Sequence, residues 1–382
     1  MLFYDKLSYW EKVTYLQDVD YLVLGSGIVG LSTAIALRAT QKQAKILVLE
    51  RGYLPSGAST KNAGFACFGS PSELLSDIEL MGEEKTCELL RLRWNGLKKL
   101  RESVGDENMD YQACGSYDLF RKSERSHYDY VVTSLPQLNV FIEKSIGLKN
   151  CFETSTEPFK QGMKDLCGSI YNQFEGSIDT GKMMHRLFQR AIELGIHVLF
   201  GVEVNQFESL NDKALAHTNF GTIQAKQMLI CTNGLSKKLL PLLDLKPARA
   251  QVLVTSPIQN LKLNSTYHYD SGYFYFRVVE GNRILIGGAR NQDFEGETTE
   301  DLHTTSFIKD HIERLLREVL VPNTDYSIDY EWAGIMGIGV EKMPIIGSHS
   351  SRIHYAVRMG GMGVAMGSEI GFRLADMVNS KK

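Results

Sequence analysis

The sequence predicts a mixed α/β chain, in which a domain built on a parallel sheet is interrupted by an inserted α+β segment with an antiparallel sheet. Three observations lead to this expectation. An apolar run over 21–24 ends in a glycine turn, which is followed by a helical segment and a second apolar run. Strand-rich segments fill the middle of the chain, and a strand, a glycine cluster and a helix close it. Helix–strand alternation at both ends around strand-rich material favours an α/β domain that carries an insertion.

The first elements form a βαβ unit. Residues 21–24 make the first strand, 28–40 the helix and 45–49 the second strand, which ends at Glu50. Apolar runs of this length, separated by a glycine turn and a helix, predict two neighbouring parallel strands.

Helices and strands then follow each other along the chain. A helix with Ser72 as its N-cap is expected to run to Val104 and to stop at Gly105, because serine favours helix starts and glycine favours helix ends. A helix over 126–145 is expected to break at Pro136. Further helices are predicted over 179–194, with Asp179 as the N-cap, over 304–320 and from 363 to about 378, and strands over 110–121, 196–200, 203–207, 227–232, 251–256, 273–279, 283–287 and 355–359.

Composition limits the classes of function. Of 382 residues, 42 are Lys or Arg and 45 are Asp or Glu, so no basic surface for nucleic acid is indicated. The six cysteines are scattered without zinc-ligand spacing, which predicts no metal site and reduced thiols. No window reaches the ~18 apolar residues of a membrane span, and residues 1–20 lack the apolar core of a signal peptide. We therefore predict a cytoplasmic protein.

The glycine turn after the first strand predicts a Rossmann-type dinucleotide site. It fits the pattern G-x-G-x-x-G with Gly25, Ser26, Gly27, Ile28, Val29 and Gly30. The first glycine permits the tight turn, the second lets the backbone approach a pyrophosphate, and the third lets the helix pack closely on the sheet. Glu50, twenty residues further on and followed by Arg51, can accept hydrogen bonds from a ribose diol. An acid at this position also argues against a 2′-phosphate, and so against NADP.

The segment after Glu50 favours FAD over NAD. It is small, polar and glycine-rich, and it consists of Gly57, Ala58, Ser59, Thr60, Lys61, Asn62, Ala63 and Gly64. Such a loop suits close contact with the ribityl chain and phosphates of a longer cofactor, whereas an NAD domain would usually continue into another helix. An ordinary surface loop is the alternative, and Lys61 could equally face phosphate, flavin or solvent.

Eight blocks, in order along the chain, resemble FAD-dependent oxidoreductases of the D-amino-acid oxidase superfamily, which includes glycine, sarcosine and γ-glutamylputrescine oxidases. These blocks are Gly25–Gly30 with Glu50, Gly57–Gly64, Gly176–Asp179, Thr232–Gly234, Pro247–Gln251, Tyr273–Gly288, Trp332–Gly347 and Gly360–Gly363. The resemblance implies a discontinuous FAD-binding domain over 1–105, 165–245 and 330–382. It also implies a substrate domain over 106–164 and 246–329, with an antiparallel sheet over the flavin.

The resemblance further implies individual cofactor contacts. The loop 57–64 would line the flavin and its phosphates, and the backbone of Val204 would meet the adenine end. Near the pyrophosphate and adenosine would lie Thr232, Asn233 and Gly234. Backbone N–H groups would reach the pyrimidine edge of the flavin, where reduction adds negative charge, from Gly360, Gly361, Met362, Gly363 and Val364.

Departures from the family pattern bear on the flavin linkage and the substrate. Covalent-flavin members carry a Cys in the region matching 337–344 or a His in the loop matching 57–64, and neither is present here, so noncovalent FAD is expected. Glycine-oxidase-type members hold a substrate carboxylate with an Arg where this chain has Met336, which cannot form a bidentate pair. Sarcosine oxidases place a Lys in the strand matching 284–287, which has none, so oxygen and a carrier both stay open as electron acceptor.

The substrate is expected to be a small amine or amino acid. Tyr273, Tyr275 and Arg277 alternate along one predicted strand, so they would share a face of the sheet and could line the substrate pocket. A surface-facing Arg277 with packing tyrosines is the alternative. Together with Trp332-Ala333-Gly334, this strand resembles γ-glutamylputrescine oxidase most. A flavin dehydrogenase of 2-hydroxy acids and a flavin-binding protein without catalysis stay open as other functions.

Overall fold

The computed structural model describes residues 6–380, so residues 1–5 and 381–382, at the ends of the predicted FAD-binding segments, lie outside the described part. The α-helices are α1 (Tyr9–Glu11), α2 (Ile28–Thr40), α3 (Ala58–Lys61), α4 (Pro71–Val104), α5 (Arg125–Ile146), α6 (Glu157–Lys160), α7 (Thr180–Glu193), α8 (Ser306–Leu315) and α9 (Gly363–Asn379). None of these helices combines the length and the apolar character that crossing a bilayer requires.

Eighteen strands lie in three sheets of the described part. They are β1 (Val19–Leu24), β2 (Ile46–Glu50), β3 (Phe65–Ala66), β4 (Ser116–Arg121), β5 (Phe152–Ser155), β6 (Leu166–Asn172), β7 (Gly176–Ser177), β8 (His197–Phe200), β9 (Val204–Ser209), β10 (Ala214–Thr218), β11 (Thr222–Ile230), β12 (Lys246–Thr255), β13 (Thr266–Tyr269), β14 (Phe274–Val279), β15 (Arg283–Gly288), β16 (Ile328–Ile338), β17 (Ile345–Ser348) and β18 (Ile353–Val357).

The first large sheet is built on the predicted βαβ unit. Its order is β17-β18-β11-β1-β2-β8, and β10 and β9 continue from β11. Strand β1 pairs in parallel with both β2 and β11. One face of β1 and β2 packs against α2, α7 and α9, and the other packs against strand and loop residues that include Ala214, Ala216 and Leu240. Because both faces are covered, the two strands are buried almost throughout and read as continuous apolar runs. Helix α9 returns from the end of the chain to pack against α2, so the two ends of the chain share one domain.

The second large sheet has the order β16-β12-β15-β14-β13-β4-β6-β5 and is antiparallel except where β13 lies beside β4. Its strand β14 shows the alternation that the sequence predicts. Phe274 and Phe276 face a core in which the Tyr267 ring stacks on that of Phe276 at 4.8 Å. Tyr275 packs in a different cluster, with Ala63 and Trp332. The polar side of this strand therefore faces the loop that the sequence predicts for the flavin.

Several predicted boundaries differ from the structure. The N-cap of α4 is Ser70, whose hydroxyl accepts a hydrogen bond from the Glu73 N–H, rather than Ser72. Helix α5 continues through Pro136, which lies on its exposed side, so the break predicted there is wrong. The strand predicted over 110–121 begins only at Ser116.

The division into two domains stays a prediction, and sheet membership would move two of its boundaries. Strand β6 and nearly all of β16 belong to the second sheet, although the sequence boundaries at 165 and 330 assign them to the FAD-binding segments. Strand β6 pairs with β4 and β5, and β16 pairs with β12, and these partners all belong to the predicted substrate domain. Local pattern alone gives no sign of which sheet such a strand joins.

Candidate functional site

A cavity of about 770 Å³ brings the predicted site segments together. Residues of the glycine turn, the loop 57–63, the start of α9 and the second sheet all line it. The two tyrosines predicted for the substrate pocket, Tyr273 and Tyr275, also line this cavity. Six of the predicted residues do not line it, and each is described below: Ser26, Gly30, Thr60, Gly64, Gly234 and Arg277.

The glycine turn has the tight geometry that the motif requires. Gly25 has φ +96°, and a Cβ atom there would lie 2.9 Å from the carbonyl oxygen of Cys231. A Cβ atom on Gly30 would overlap the carbonyl oxygen of Gly25. Helix α2 begins at Ile28, whose N–H donates to the Ser59 hydroxyl at 3.0 Å. The turn thus brings a helix N-terminus, which favours anions, to the cavity wall.

Glu50 is buried and held in place at the end of β2. Its Oε2 accepts hydrogen bonds from the Ser26 N–H at 3.2 Å and the Ser26 hydroxyl at 2.8 Å, and its Oε1 accepts from the Gly52 N–H at 3.0 Å. Arg51, next along the chain, lines the cavity and pairs with Glu203 at 3.7 Å. The carboxylate therefore has a fixed orientation beside the glycine turn, as binding a ribose diol requires.

The loop after Glu50 is ordered by its own side chains and by the second sheet. Asn62 Oδ1 accepts from the Gly64 N–H and the Thr180 hydroxyl, both at 2.8 Å. The Thr60 hydroxyl donates to the Pro55 carbonyl at 2.6 Å. From the second sheet, the Trp332 indole N–H donates to the Lys61 carbonyl at 3.0 Å. These bonds fix one wall of the cavity.

The start of α9 forms another wall. Gly360, Gly361 and Met362 precede the helix, and Gly363 and Val364 begin it; all five line the cavity. Asn233 supports this turn, because its Oδ1 accepts from the N–H groups of Arg358 and Met359 at 3.1 and 3.2 Å.

Three further predicted contacts lie beside this wall or behind it. Thr232 and Val204 line the cavity. Gly234 packs behind it, where a Cβ atom would overlap the Met336 carbonyl.

Arg277 does not line the cavity, contrary to the role predicted for it in the substrate pocket. Its Nε donates to the Ala63 carbonyl at 2.7 Å and its Nη2 to the Ile178 carbonyl at 2.8 Å. Burial lowers the pKa of this guanidinium. Arg277 thus braces the loop 57–64 from behind, and a substrate contact would require it to leave both carbonyls.

A cluster of charged side chains, which the sequence analysis did not predict, lies at another wall of the cavity. Glu73, Arg93 and Lys342 line the cavity, and Asp77 lies behind them. Arg93 pairs with Glu73 at 2.9 Å, and Lys342 pairs with Asp77 and lies 3.6 Å from Glu73. Burial opposes ionisation of Glu73, but the charges of Arg93 and Lys342 outweigh it and lower the Glu73 pKa. Burial and the Glu73 charge raise the pKa of Asp77. Lys342 lies within the region 337–344, in which covalent-flavin members of the family carry a Cys.

A second polar group missed from the sequence surrounds Glu175. This fully buried carboxylate accepts from the N–H groups of Phe68 and Gly69 at 2.7 and 3.0 Å and from the Ser116 hydroxyl at 2.5 Å. The cavity-lining His268 places Nε2 4.0 Å from it, and Cys67 lies nearby. Through these three donors the Glu175 carboxylate ties the segment of Phe68 and Gly69 to Ser116. No local pattern in the sequence links these residues.

The dimensions and chemistry of the cavity fit FAD. Its volume lies in the range of ligand sites in proteins. Gly25, Gly27 and Ile28 line the cavity, so the glycine turn is open to it. Glu50 suits a ribose, the helix N-terminus suits a pyrophosphate, and the start of α9 supplies backbone to a ring system beyond them.

Comparisons with known proteins agree with this assignment. The family model of the DAO type, described as FAD-dependent oxidoreductase, matches residues 20–377. A probable oxidoreductase OrdL of Haemophilus influenzae is 21% identical, covering 97% of this chain and 85% of the relative. Glycine oxidase of Geobacillus kaustophilus is 22% identical, covering 95% and 93%. The crystal structure of L-proline dehydrogenase from P. horikoshii superposes with a TM-score of 0.76 at 16% identity, covering 96% and 95%. The chain belongs to the DAO family of FAD-dependent oxidoreductases, and its cofactor is FAD.

Proposed function

We propose that this enzyme oxidises a carbon–nitrogen bond of a small amine or amino acid, with FAD held noncovalently. Bound FAD supplies the acceptor for the hydride equivalent. The protein then has to hold the amine against the flavin and keep water out. Two similar proteins are named for amino-acid substrates, the glycine oxidase and the L-proline dehydrogenase, and they support this class of substrate.

The observation that carries the proposal is the position of Tyr275 in the same cavity as the glycine turn and Glu50. Burial raises the pKa of Tyr275 to about 12, so its hydroxyl is neutral at physiological pH. Within residues 6–380 this hydroxyl has no hydrogen-bond partner in the protein, and burial alone accounts for its raised pKa. A neutral hydroxyl group in an aromatic wall is suited to orient a substrate and not to attack it.

A substrate like that of γ-glutamylputrescine oxidase is the finer form of this proposal. Trp332-Ala333-Gly334 lies in β16, and Gly334 lines the cavity. Met336, at the position where glycine-oxidase-type relatives would carry an arginine, also lines the cavity, with its sulfur near Gly361. The thioether of Met336 cannot bind a carboxylate, so the contact that this residue offers to a substrate is apolar. This favours an elongated amine over glycine itself.

The test is anaerobic bleaching of the protein-bound flavin. Purified protein should be yellow, and acid precipitation should release the colour if the flavin is noncovalent. Primary amines, secondary amines, α-amino acids, γ-glutamyl amines and 2-hydroxy acids are then added one at a time without oxygen. We expect amines or amino acids to bleach the visible flavin bands, and 2-hydroxy acids to leave them unchanged.

Three results would decide against parts of the proposal. Bleaching by a 2-hydroxy acid and by no amine would replace it with hydroxy-acid oxidation. A fully loaded flavin that no compound bleaches would indicate a binding protein without catalysis. Colour that stays with the precipitate would show covalent attachment. Readmitting oxygen, or adding an artificial dye, to the bleached protein then identifies the class of electron acceptor.

A further inference from the structure

Arg290 is a cation that lines the cavity and has no role in the amine oxidation proposed above. One residue separates it from the end of β15, and it lies in the short turn Arg290–Gln292. The preceding residue, Ala289, donates its N–H to the Tyr273 carbonyl at 2.8 Å and so ties this turn to the cavity wall. Arg290 lines the cavity together with Tyr273 and Gly288. Its place in the wall is therefore fixed by the sheet.

Other cations of the cavity already have acidic partners. Arg51 pairs with Glu203, Arg93 with Glu73, Lys238 with Glu300 and Lys342 with Asp77. Arg290 has no such partner within residues 6–380. Lys61 has none there either, but it belongs to the loop predicted to meet the flavin.

Glu297 is the acid whose charge acts on the pKa of Arg290, but its carboxylate already has other partners. Its Oε2 accepts from Arg249 Nε at 3.0 Å, and its Oε1 accepts from Arg249 Nη2 at 2.7 Å and Gln251 Nε2 at 2.9 Å. Arg290 instead places its guanidinium 4.7 Å from the centre of the Phe294 ring. Burial lowers the pKa of Arg290, although not enough to discharge an arginine. A half-buried, stacked guanidinium with unused donors is a strong site for an anion.

We propose that Arg290 binds an anionic group of the substrate, so that the substrate is an amine that also carries a carboxylate. The planar guanidinium matches a carboxylate with two parallel hydrogen bonds. This contact comes from the turn after β15 and not from the Met336 position on β16. It rests on the proposed function only for the identity of the amine; the anion contact itself can be measured without turnover.

The experiment uses FAD-loaded protein and the variants Arg290→Met and Arg290→Lys, with the exposed Arg314→Met as a matched control. Benzoate and acetate, which carry a carboxylate and no oxidisable amine, are titrated while the visible flavin spectrum is followed. We expect the carboxylates to perturb the spectrum of the unchanged protein and of Arg314→Met. Arg290→Met should weaken this binding roughly 10- to 100-fold, the loss expected for charge-assisted hydrogen bonds. Arg290→Lys should fall between, because it keeps the charge and loses the fork.

A second measurement compares an amino acid with the amine that lacks its carboxylate, by anaerobic bleaching. Arg290→Met should lose affinity for the amino acid and keep its affinity for the amine. Unchanged affinity for carboxylates and for the amino acid in a flavin-loaded Arg290→Met protein would overturn the inference and leave amine oxidation intact. Carboxylate binding that depends on Arg290, in a protein that no amine bleaches, would support the inference and reject the proposed function. If Arg290→Met loses its flavin, the comparison of Arg290→Lys with Arg314→Met decides.

Discussion

The hydroxyl of Ser26 donates a 2.8 Å hydrogen bond to the carboxylate of Glu50, and so joins the glycine turn to the end of the second strand. Neither group needs this bond to keep the strands in place, because β1 and β2 pair through their backbones. Its effect is to fix one carboxylate oxygen, which leaves the acid oriented beside the helix N-terminus. The arrangement is one that a ribose and its neighbouring phosphate would recognise.

Replacing Glu50 should therefore weaken FAD binding more than folding. Glu50→Gln should raise the dissociation constant of FAD roughly 10- to 100-fold, because charge-assisted hydrogen bonds to ribose are lost. Ser26→Ala, which leaves the carboxylate but frees its orientation, should have a smaller effect. Equilibrium dialysis or fluorescence titration of flavin-free protein measures both. The exposed Glu88→Gln serves as the control, and equal FAD affinity in all three variants would contradict the role of Glu50.

Two glycines of the site make a matched pair for testing close packing. Gly30→Ala would force its methyl group into the Gly25 carbonyl, whereas Gly57→Ala meets nothing within 4 Å and Gly57 has no positive φ. We expect Gly30→Ala to lose about 1–3 kcal/mol of stability, as overpacking does, and to purify with little flavin. Gly57→Ala should keep both its melting temperature and its colour. Similar melting temperatures for the two variants would show that the turn can relax.

Arg277 offers a direct choice between a bracing role and a substrate role. Arg277→Met leaves the Ala63 and Ile178 carbonyls without their donors, so we expect a loss of about 1–3 kcal/mol in stability and weaker FAD binding. Chemical denaturation and flavin titration measure these two quantities. If Arg277 instead contacts substrate, as the sequence alone suggested, the variant should keep its flavin and stability and lose affinity only in the bleaching assay.

The sequence predicted those parts of the site that depend on residues close together in the chain. The glycine turn and Glu50 lie within one βαβ unit, and the alternation of Phe276 with Tyr275 follows from the period of a strand. The contacts of Arg277 with two backbone carbonyls were not predicted, because the sequence does not reveal that these carbonyls come within its reach. Arg290 and Lys342 were missed for a related reason. Whether Arg290 and Lys342 have acidic partners depends on which residues of other elements pack against them.

The pairing of Lys342 with Asp77 predicts an unusual pH dependence of stability. Lys342→Met leaves Asp77 buried beside Glu73 with only Arg93 to offset two negative charges. We expect a loss of about 1–3 kcal/mol near neutral pH, less than for a fully buried pair because Lys342 is 39% exposed. The added substitution Asp77→Asn removes the unpaired charge and should restore part of the loss.

Acidification should also rescue the single variant, and the sign follows from linkage. The pKa of Asp77 is already raised in the folded protein, and removing Lys342 raises it further. Between the ordinary pKa of an aspartate and this higher value, the folded state binds more protons than the unfolded state, so stability rises as pH falls. Urea denaturation from neutral pH down to about pH 5 should therefore show the gap between Lys342→Met and the unchanged protein closing. The double variant, which has no Asp77 to protonate, should show no such closing; a constant gap for the single variant would mean that Asp77 takes up no proton.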